Sequence, residues 1–291
     1  MLRLGLCCTF VDVPIKFRQT TVTYLKRLEK PMEHIEKIVW HNIGALEEAI
    51  VYCLEHNIGC FRINSQFLPA ATHPEVGYTL KDLPEAFSRR LAAIGKRGEI
   101  RLTFHPDQFV VLSSPKEDVV ANSLKEIESQ ASVAELVGAD VINIHGGGAY
   151  GDKVAALARF ERSMSRLSSV ARIKVTVEND DKTYTPQELY PLCEKLGIPL
   201  VYDVHHHRCL PDEWSIEEAT QKALSTWNRE PLFHISSPLN GWDKKHQERH
   251  HDYIDIADFP VCWKGIELLT VEVEAKAKER AVAKLQQMLA K

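Results

Sequence analysis

Eight short apolar runs punctuate the chain, at residues 2–6, 60–63, 100–104, 141–144, 173–177, 200–204, 232–235 and 266–273. Several are near-continuous Val, Ile and Leu without polar alternation, as expected of parallel strands buried on both faces. Between them the apolar spacing changes to the helical period. Residues 33–53 carry Ile35, Ile38, Val39, Ile43, Leu46, Ala49 and Ile50, and residues 122–137 carry Leu124, Ile127, Ala131, Ala134 and Leu136. Further helices are predicted over 154–167, 186–196, 215–226 and 275–289. Thr185 is placed to cap a helix whose first turn holds Pro186, and Gly197 to stop it. Eight strand–helix units within 291 residues predict an α/β chain, a single-domain (β/α)8 TIM barrel spanning 1–291. An open doubly wound sheet is the competing solution, but it would usually carry a Gly-rich phosphate loop after an early strand. No G-x-G-x-x-G occurs, and Gly146, Gly147 and Gly148 have neither a P-loop's spacing nor its Lys-Ser/Thr. Beside His145, that glycine run suggests a close approach of backbone to a ligand.

Charge narrows the function. Lys plus Arg number 36 against 40 Asp plus Glu, a net charge of −4, which excludes a globally basic nucleic-acid binder but not a local basic face. No apolar run approaches the length of a membrane span. The apolar start of the chain ends at Asp12 and Pro14 with no small-residue cleavage site, so it reads as a first strand and not a signal peptide. The seven cysteines are odd in number and form no C-x-x-C pair, which argues for a reducing compartment. With no targeting signal, the expectation is a cytoplasmic protein.

The 13 histidines are the unusual feature, and many stand where strands end. His73 follows the second run, His105 the third and His145 the fourth. Glu178 ends the fifth. Asp203 ends the sixth and precedes His205, His206 and His207. His234 lies in the seventh, followed by His246, His250 and His251. Glu272 and Glu274 end the eighth. In a barrel these strand ends form the rim on which active sites are built. Imidazoles and carboxylates without thiolates suit Mn²⁺, Zn²⁺, Fe²⁺ or Mg²⁺. The set is too large for one ion. Two or three clustered ions are a standard device for hydrolysing phosphoesters. Asp203 and His206, three apart, could be turned onto one ion, leaving two of the three consecutive histidines as ordinary residues. His34, His41 and His56 read as surface groups, and the charges from Lys276 to Arg280 as a solvated helix face.

The chain resembles the UV damage endonuclease family. The matching segments run in order through residues 2–6, 61–65, His73-Pro74, 102–109, 144–148, 177–180, 202–207, 233–236 and 273–279. The resemblance implies a TIM barrel holding up to three divalent ions, with manganese typical and Mg²⁺ or Zn²⁺ as alternatives. It implies nicking of duplex DNA immediately 5′ to UV photoproducts, leaving a 3′-hydroxyl and a 5′-phosphate. The implied metal ligands are His73, His105, His145, Glu178, Asp203, His206, His234, His250 and Glu274, with Glu178, Asp203, Glu274 and His234 central to catalysis. Gln108 and Phe109 stand where the family probes the lesion, and a core position for Phe109 is the competing reading. Three departures stand out. Leu232 replaces a lysine that some members carry and carboxylate, Leu6 replaces a tyrosine, and His251 beside His250 leaves two candidates for one ligand position. Arg62, Lys244 and Arg249, together with Lys16, Arg18 and Lys245, are the candidate DNA contacts on the rim. The expected partner is damaged double-stranded DNA, bound by a monomer. An abasic-site endonuclease, a one-metal sugar isomerase or epimerase, and a binding protein that never nicks are the competing functions.

Overall fold

Each of the eight apolar runs forms a parallel strand, and the strands close in chain order into a barrel, β1 pairing with both β2 and β8. The computed structural model describes residues 1–290. The strands are β1 (Leu2–Cys7), β2 (Cys60–Ile63), β3 (Arg101–Phe104), β4 (Val141–His145), β5 (Val175–Glu178), β6 (Leu200–Asp203), β7 (Leu232–Ile235) and β8 (Leu269–Val273). The helices are α1 (Val22–Leu25), α2 (Pro31–Glu55), α3 (Glu85–Arg97), α4 (Glu117–Val137), α5 (Lys153–Met164), α6 (Ser169–Arg172), α7 (Pro186–Leu196), α8 (Val204–Cys209), α9 (Ile216–Ser225) and α10 (Glu279–Leu289). Among the described residues, no helix is long and apolar enough to cross a membrane. All seven cysteines are free.

Local chemistry sets the boundaries. The Thr185 hydroxyl accepts from Glu188 N–H while the Glu188 carboxylate accepts from Thr185 N–H, and α7 ends at Gly197 in the left-handed region with φ 63°. Ser215 and Glu218 form the same reciprocal cap on α9. Besides the short helices α1, α6 and α8, two longer helices depart from the sequence reading. The helix expected from 275 begins only at Glu279, because residues 275–278 form a turn and Lys278 takes φ 50°. Glu279 is therefore no part of a solvated face: it is buried, and its carboxylate accepts from the backbone N–H groups of Val11 and Asp12. Helix α3 lies outside the expected set. Its buried Phe87, Leu91 and Ile94 and its stop at Gly98 are the sequence signals that mark it.

The register stacks chemistry in layers. Because side chains alternate at period two, neighbours in register share a face. His145 sits beside Glu178, Asp203 beside His234, and His234 beside Glu272. Leu232 lies two residues below His234, where it joins Val141 and Val201 in a small buried apolar cluster against Trp227. The position where the resemblance implies a chargeable lysine in some members is here part of a hydrophobic plug. The glycine run after β4 also differs from expectation, since the close approach it permits is to protein. A Cβ at Gly147, which has φ 83°, would lie 2.4 Å from Ser113 Oγ and 2.8 Å from Val111 Cγ1. The absent side chain lets the loops after β3 and β4 dock together.

Candidate metal centre

The strand ends deliver a ring of imidazoles and carboxylates into one buried space. Three sets of ligand atoms converge closely enough to share an ion: His105, Glu178 and His234; His145, Glu178 and His206; and Asp203, His234 and Glu274. Glu178 and His234 each belong to two sets, so the ring is a fused cluster. Asp203 and His206 fall into different sets, yet the turn after β6 brings His206 Nδ1 to 3.6 Å from Asp203 Oδ2. The other Asp203 oxygen caps α8, accepting from His206 N–H at 2.8 Å.

Second contacts fix how the ligands point. His105 Nδ1 donates to Pro106 O at 3.0 Å, which aims Nε2 into the ring, 3.1 Å from Glu178 Oε2. His206 Nδ1 likewise donates to Asn179 O at 3.0 Å. Asn143 donates to Glu178 Oε2 at 2.5 Å and accepts from Thr176 Oγ1 at 2.9 Å. Asn179 bridges to Asp203 through both its amide atoms. The amides Asn143 and Asn179 are absent from the residues expected at the site. The alternation of β4 that places Asn143 two residues before His145 is the signal for the first.

Four polar atoms remain without a hydrogen-bond partner although buried: His145 Nδ1, Glu178 Oε1, Asp203 Oδ2 and His234 Nδ1. Glu178 Oε1 is 3.1 Å from His234 Nδ1 and 3.3 Å from His206 Nδ1, yet the angles form no hydrogen bond. Donor atoms that converge in a desolvated space without bonding one another leave an arrangement that a cation would satisfy. The residues fit a divalent metal cluster of nitrogen and oxygen ligands.

Below the ring, Glu272 and Arg62 form a second tier. Arg62 Nε donates to Glu272 Oε2 at 2.6 Å, and Arg62 Nη1 pairs with Glu274 Oε1 at 2.6 Å. Thr103 Oγ1 donates to Glu272 Oε1 at 2.5 Å, and His234 Nε2 is 3.1 Å from Glu272 Oε2. Burial alone would raise the Glu272 pKa, but the Arg62 guanidinium, His234 and the Thr103 hydroxyl hold it at about 2. Burial opposes the charged form of His234, yet the nearby carboxylates of Glu178 and Glu272 raise it to about 10. His206 is likewise pushed well up by Asp203 and Glu178 against its burial, whereas burial lowers His145. Burial of Glu178 and part-burial of Glu274 oppose their charged forms, yet both are held well below the usual carboxylate range, the first by histidines and the second by Arg62.

The remaining expected residues lie at the edge or apart. His250 reaches the ring's rim, with Nδ1 3.8 Å from Glu274 Oε2. His251 turns the other way, its Nδ1 accepting from Tyr253 N–H at 3.0 Å. His73 joins none of the convergent sets. Its Nδ1 accepts from Glu75 N–H, and it lines a cleft of about 880 Å³ between the β2–α3 connection and α4. His205 is fully buried beside Trp242 and His250, with both ring nitrogens unpartnered. Phe109 is 79% exposed on the rim and not in the core, with Gln108 exposed beside it. Lys16, Arg18, Lys244, Lys245 and Arg249 are exposed. Arg62 is not: its guanidinium is buried between Glu272 and Glu274, so a phosphate would have to compete with two carboxylates.

Against known proteins, a family model described as UV-endonuclease UvdE matches residues 2–291. A UV DNA damage endonuclease from Bacillus velezensis is 35% identical over 278 residues, covering 90% of this chain and 84% of that protein. The crystal structure of SacUVDE superposes with a TM-score of 0.88 at 28% identity, covering 100% of both chains. Endonuclease IV from Thermus thermophilus superposes at 0.62 with 14% identity, covering 99% of this chain and 98% of that one, a likeness of fold.

Proposed function

The chain belongs to the UV-endonuclease UvdE family, and from that premise we propose that it is a metal-dependent repair endonuclease that nicks duplex DNA immediately 5′ to UV photoproducts. The products are a 3′-hydroxyl and a 5′-phosphate. The observation that carries the reading is the set of four buried donor atoms on one ring that have no protein partner. Two or three divalent ions, Mn²⁺ foremost, would supply there a water acidified toward neutral pH and positive charge against the attacking and leaving oxygens.

The chain's own residues do the rest. Glu178, shared by two ligand sets, sits at the centre, with His105, His145 and His206 on one side and Asp203, His234 and Glu274 on the other. Asn143 orients the Glu178 carboxylate, and Asn179 fixes the strand end that carries Asp203. Arg62 Nη2 donates to His234 Nε2 at 3.0 Å, with Glu272 Oε2 3.1 Å from the same nitrogen, and together they keep Nδ1 turned toward Glu178. His250 is more open to solvent than the buried histidines, placing a titratable Nδ1 where a proton can pass to the departing 3′-oxygen. On the rim, Phe109 and Gln108 are free to enter a poorly stacked step, where unstacking costs least. Lys244, Lys245, Arg249, Lys16 and Arg18 supply sequence-independent phosphate contacts.

The test is nicking of supercoiled plasmid, UV-irradiated, untreated or depurinated, with Mn²⁺ or EDTA. The expected result is nicking of irradiated plasmid alone, abolished by EDTA. Nicking of depurinated plasmid alone would assign an abasic-site enzyme, and intact irradiated plasmid in the presence of bound metal would end the endonuclease reading.

A further inference from the structure

Beside the ring, on the side of β1 and β8, lies an open cleft of about 600 Å³ whose lysines the steps above leave without a role. Glu274 and His250 form the wall it shares with the metal centre. The opposite side is lined by Cys8, Arg249, Lys276 and Lys278. Two non-glycine residues on this lining hold positive φ, Cys8 at 53° and Lys278 at 50°. Such backbone is costly and persists only where the surroundings enforce it, commonly at sites that bind or react. Here the surroundings are visible. Lys276 N–H donates to His251 O at 3.1 Å, Lys278 N–H to Ala275 O at 3.2 Å, and His250 bridges to Pro238.

The charges in the cleft do not cancel. Its two carboxylates are already engaged, Glu274 with Arg62 and Glu248 with His246. Among the described residues, Arg249, Lys276 and Lys278 make no ion pair. Three unpaired cations around one built cleft attract an anion, and the shared wall sets that anion next to the reacting centre.

We propose that this cleft is a phosphodiester subsite, in which Lys276, Lys278 and Arg249 hold a backbone phosphate of the cut strand adjacent to the scissile one. The inference rests on the endonuclease reading above and adds to it where the strand runs as it leaves the metal centre. Lys278 has its backbone fixed by the turn before α10 and is half-buried, whereas Lys276 and Arg249 are exposed and adaptable.

The experiment measures affinity for a UV-irradiated duplex by anisotropy, with single methylphosphonates scanned through the backbone around the nick. Wild type is expected to lose about tenfold in affinity at one neutralised position. The Lys276→Gln/Lys278→Gln variant should bind unmodified DNA as weakly as wild type binds that modified duplex, and show no further loss there. Its logarithmic salt slope should fall by roughly 0.9 per lysine removed. Inorganic phosphate should compete weakly with DNA in wild type and less in the variant, which separates a DNA subsite from a site for the free ion. Lys276→Gln alone, on an exposed side chain, repeats the test with little risk to folding. Penalties from variant and methylphosphonate that add at every position would overturn the subsite while nicking of irradiated plasmid still stands. A wild type that neither prefers nor nicks irradiated DNA would remove the endonuclease reading and the subsite with it.

Discussion

Glu272 reads in sequence as one more acid at a strand end, yet its contacts are all internal: Arg62, Thr103 and His234. Its folded pKa of about 2 lies below the ordinary glutamate value of 4.5, so its contribution to stability is fully present above pH 4.5 and lost as pH falls through about 2. By linkage that contribution is on the order of 3 kcal/mol at neutral pH. Wild type should therefore exceed Glu272→Gln in stability by a constant margin above about pH 5, and the margin should fall to less than half by about pH 3. Urea melts at stepped pH measure this, and a margin that widened on acidification would refute it. Phe109 presents the opposite case, an apolar ring with 79% of its surface exposed. Phe109→Ala should leave the melting temperature unchanged and weaken binding of irradiated duplex by roughly 1–3 kcal/mol, the usual worth of an aromatic stacked on a base. An unchanged preference for irradiated over untreated duplex would release Phe109 from lesion probing. Residue types at the strand ends are legible in the sequence. Their partners are not, because the strand pairings that put Arg62 against Glu272 join residues 210 apart.

The elements are more legible than their ends. Near-continuous apolar runs locate all eight strands, because a parallel strand covered on both faces has no polar alternation to blur it. The third helix escapes because its mean character is polar and only Phe87, Leu91 and Ile94 carry the stripe. The last helix is four residues shorter than its spacing predicts, since helical spacing cannot reveal that Lys278 takes a left-handed backbone. Leu232 shows an element's geometry deciding chemistry. It is fully buried with Val141 and Val201 inside the barrel, on the strand that carries His234. Leu232→Ala should cost about 2–5 kcal/mol through lost burial and the cavity left behind. It should also loosen His234 two residues above, so metal affinity should drop with stability. Guanidinium unfolding and metal titration test the two halves, and a variant as stable as wild type would show that the plug is dispensable.

Across the whole molecule, the ring and the tier below it gather four acids, Glu178, Asp203, Glu274 and Glu272, at the end of the barrel. The single fixed cation among them is Arg62, and protons held on His234 and His206 supply further positive charge, which is why both are displaced upward. A histidine must shed its inward proton to bind a metal ion, so metal binding and deprotonation are one equilibrium. The protonated form of His234 stabilises the metal-free fold below the ordinary imidazole range, and that support disappears as pH rises through about 10. Metal uptake should therefore strengthen with pH from 6 to 9 and release about two protons per molecule at neutral pH. Titration calorimetry in two buffers of different ionisation enthalpy reads the proton count, and mass spectrometry of dialysed protein reads the ions. Chelation should lower the melting temperature by an amount that grows with the free metal concentration used as reference. The number of ions follows from the same balance. Leu232 adds no charge, so four acids less Arg62 leave three negative charges, which two divalent ions already exceed by one, and the DNA phosphate completes neutrality. Two ions per chain with about two protons released is the expected outcome, whereas three ions, or no proton release, would mean that the histidines or the acids are not holding the charge this ring assigns them.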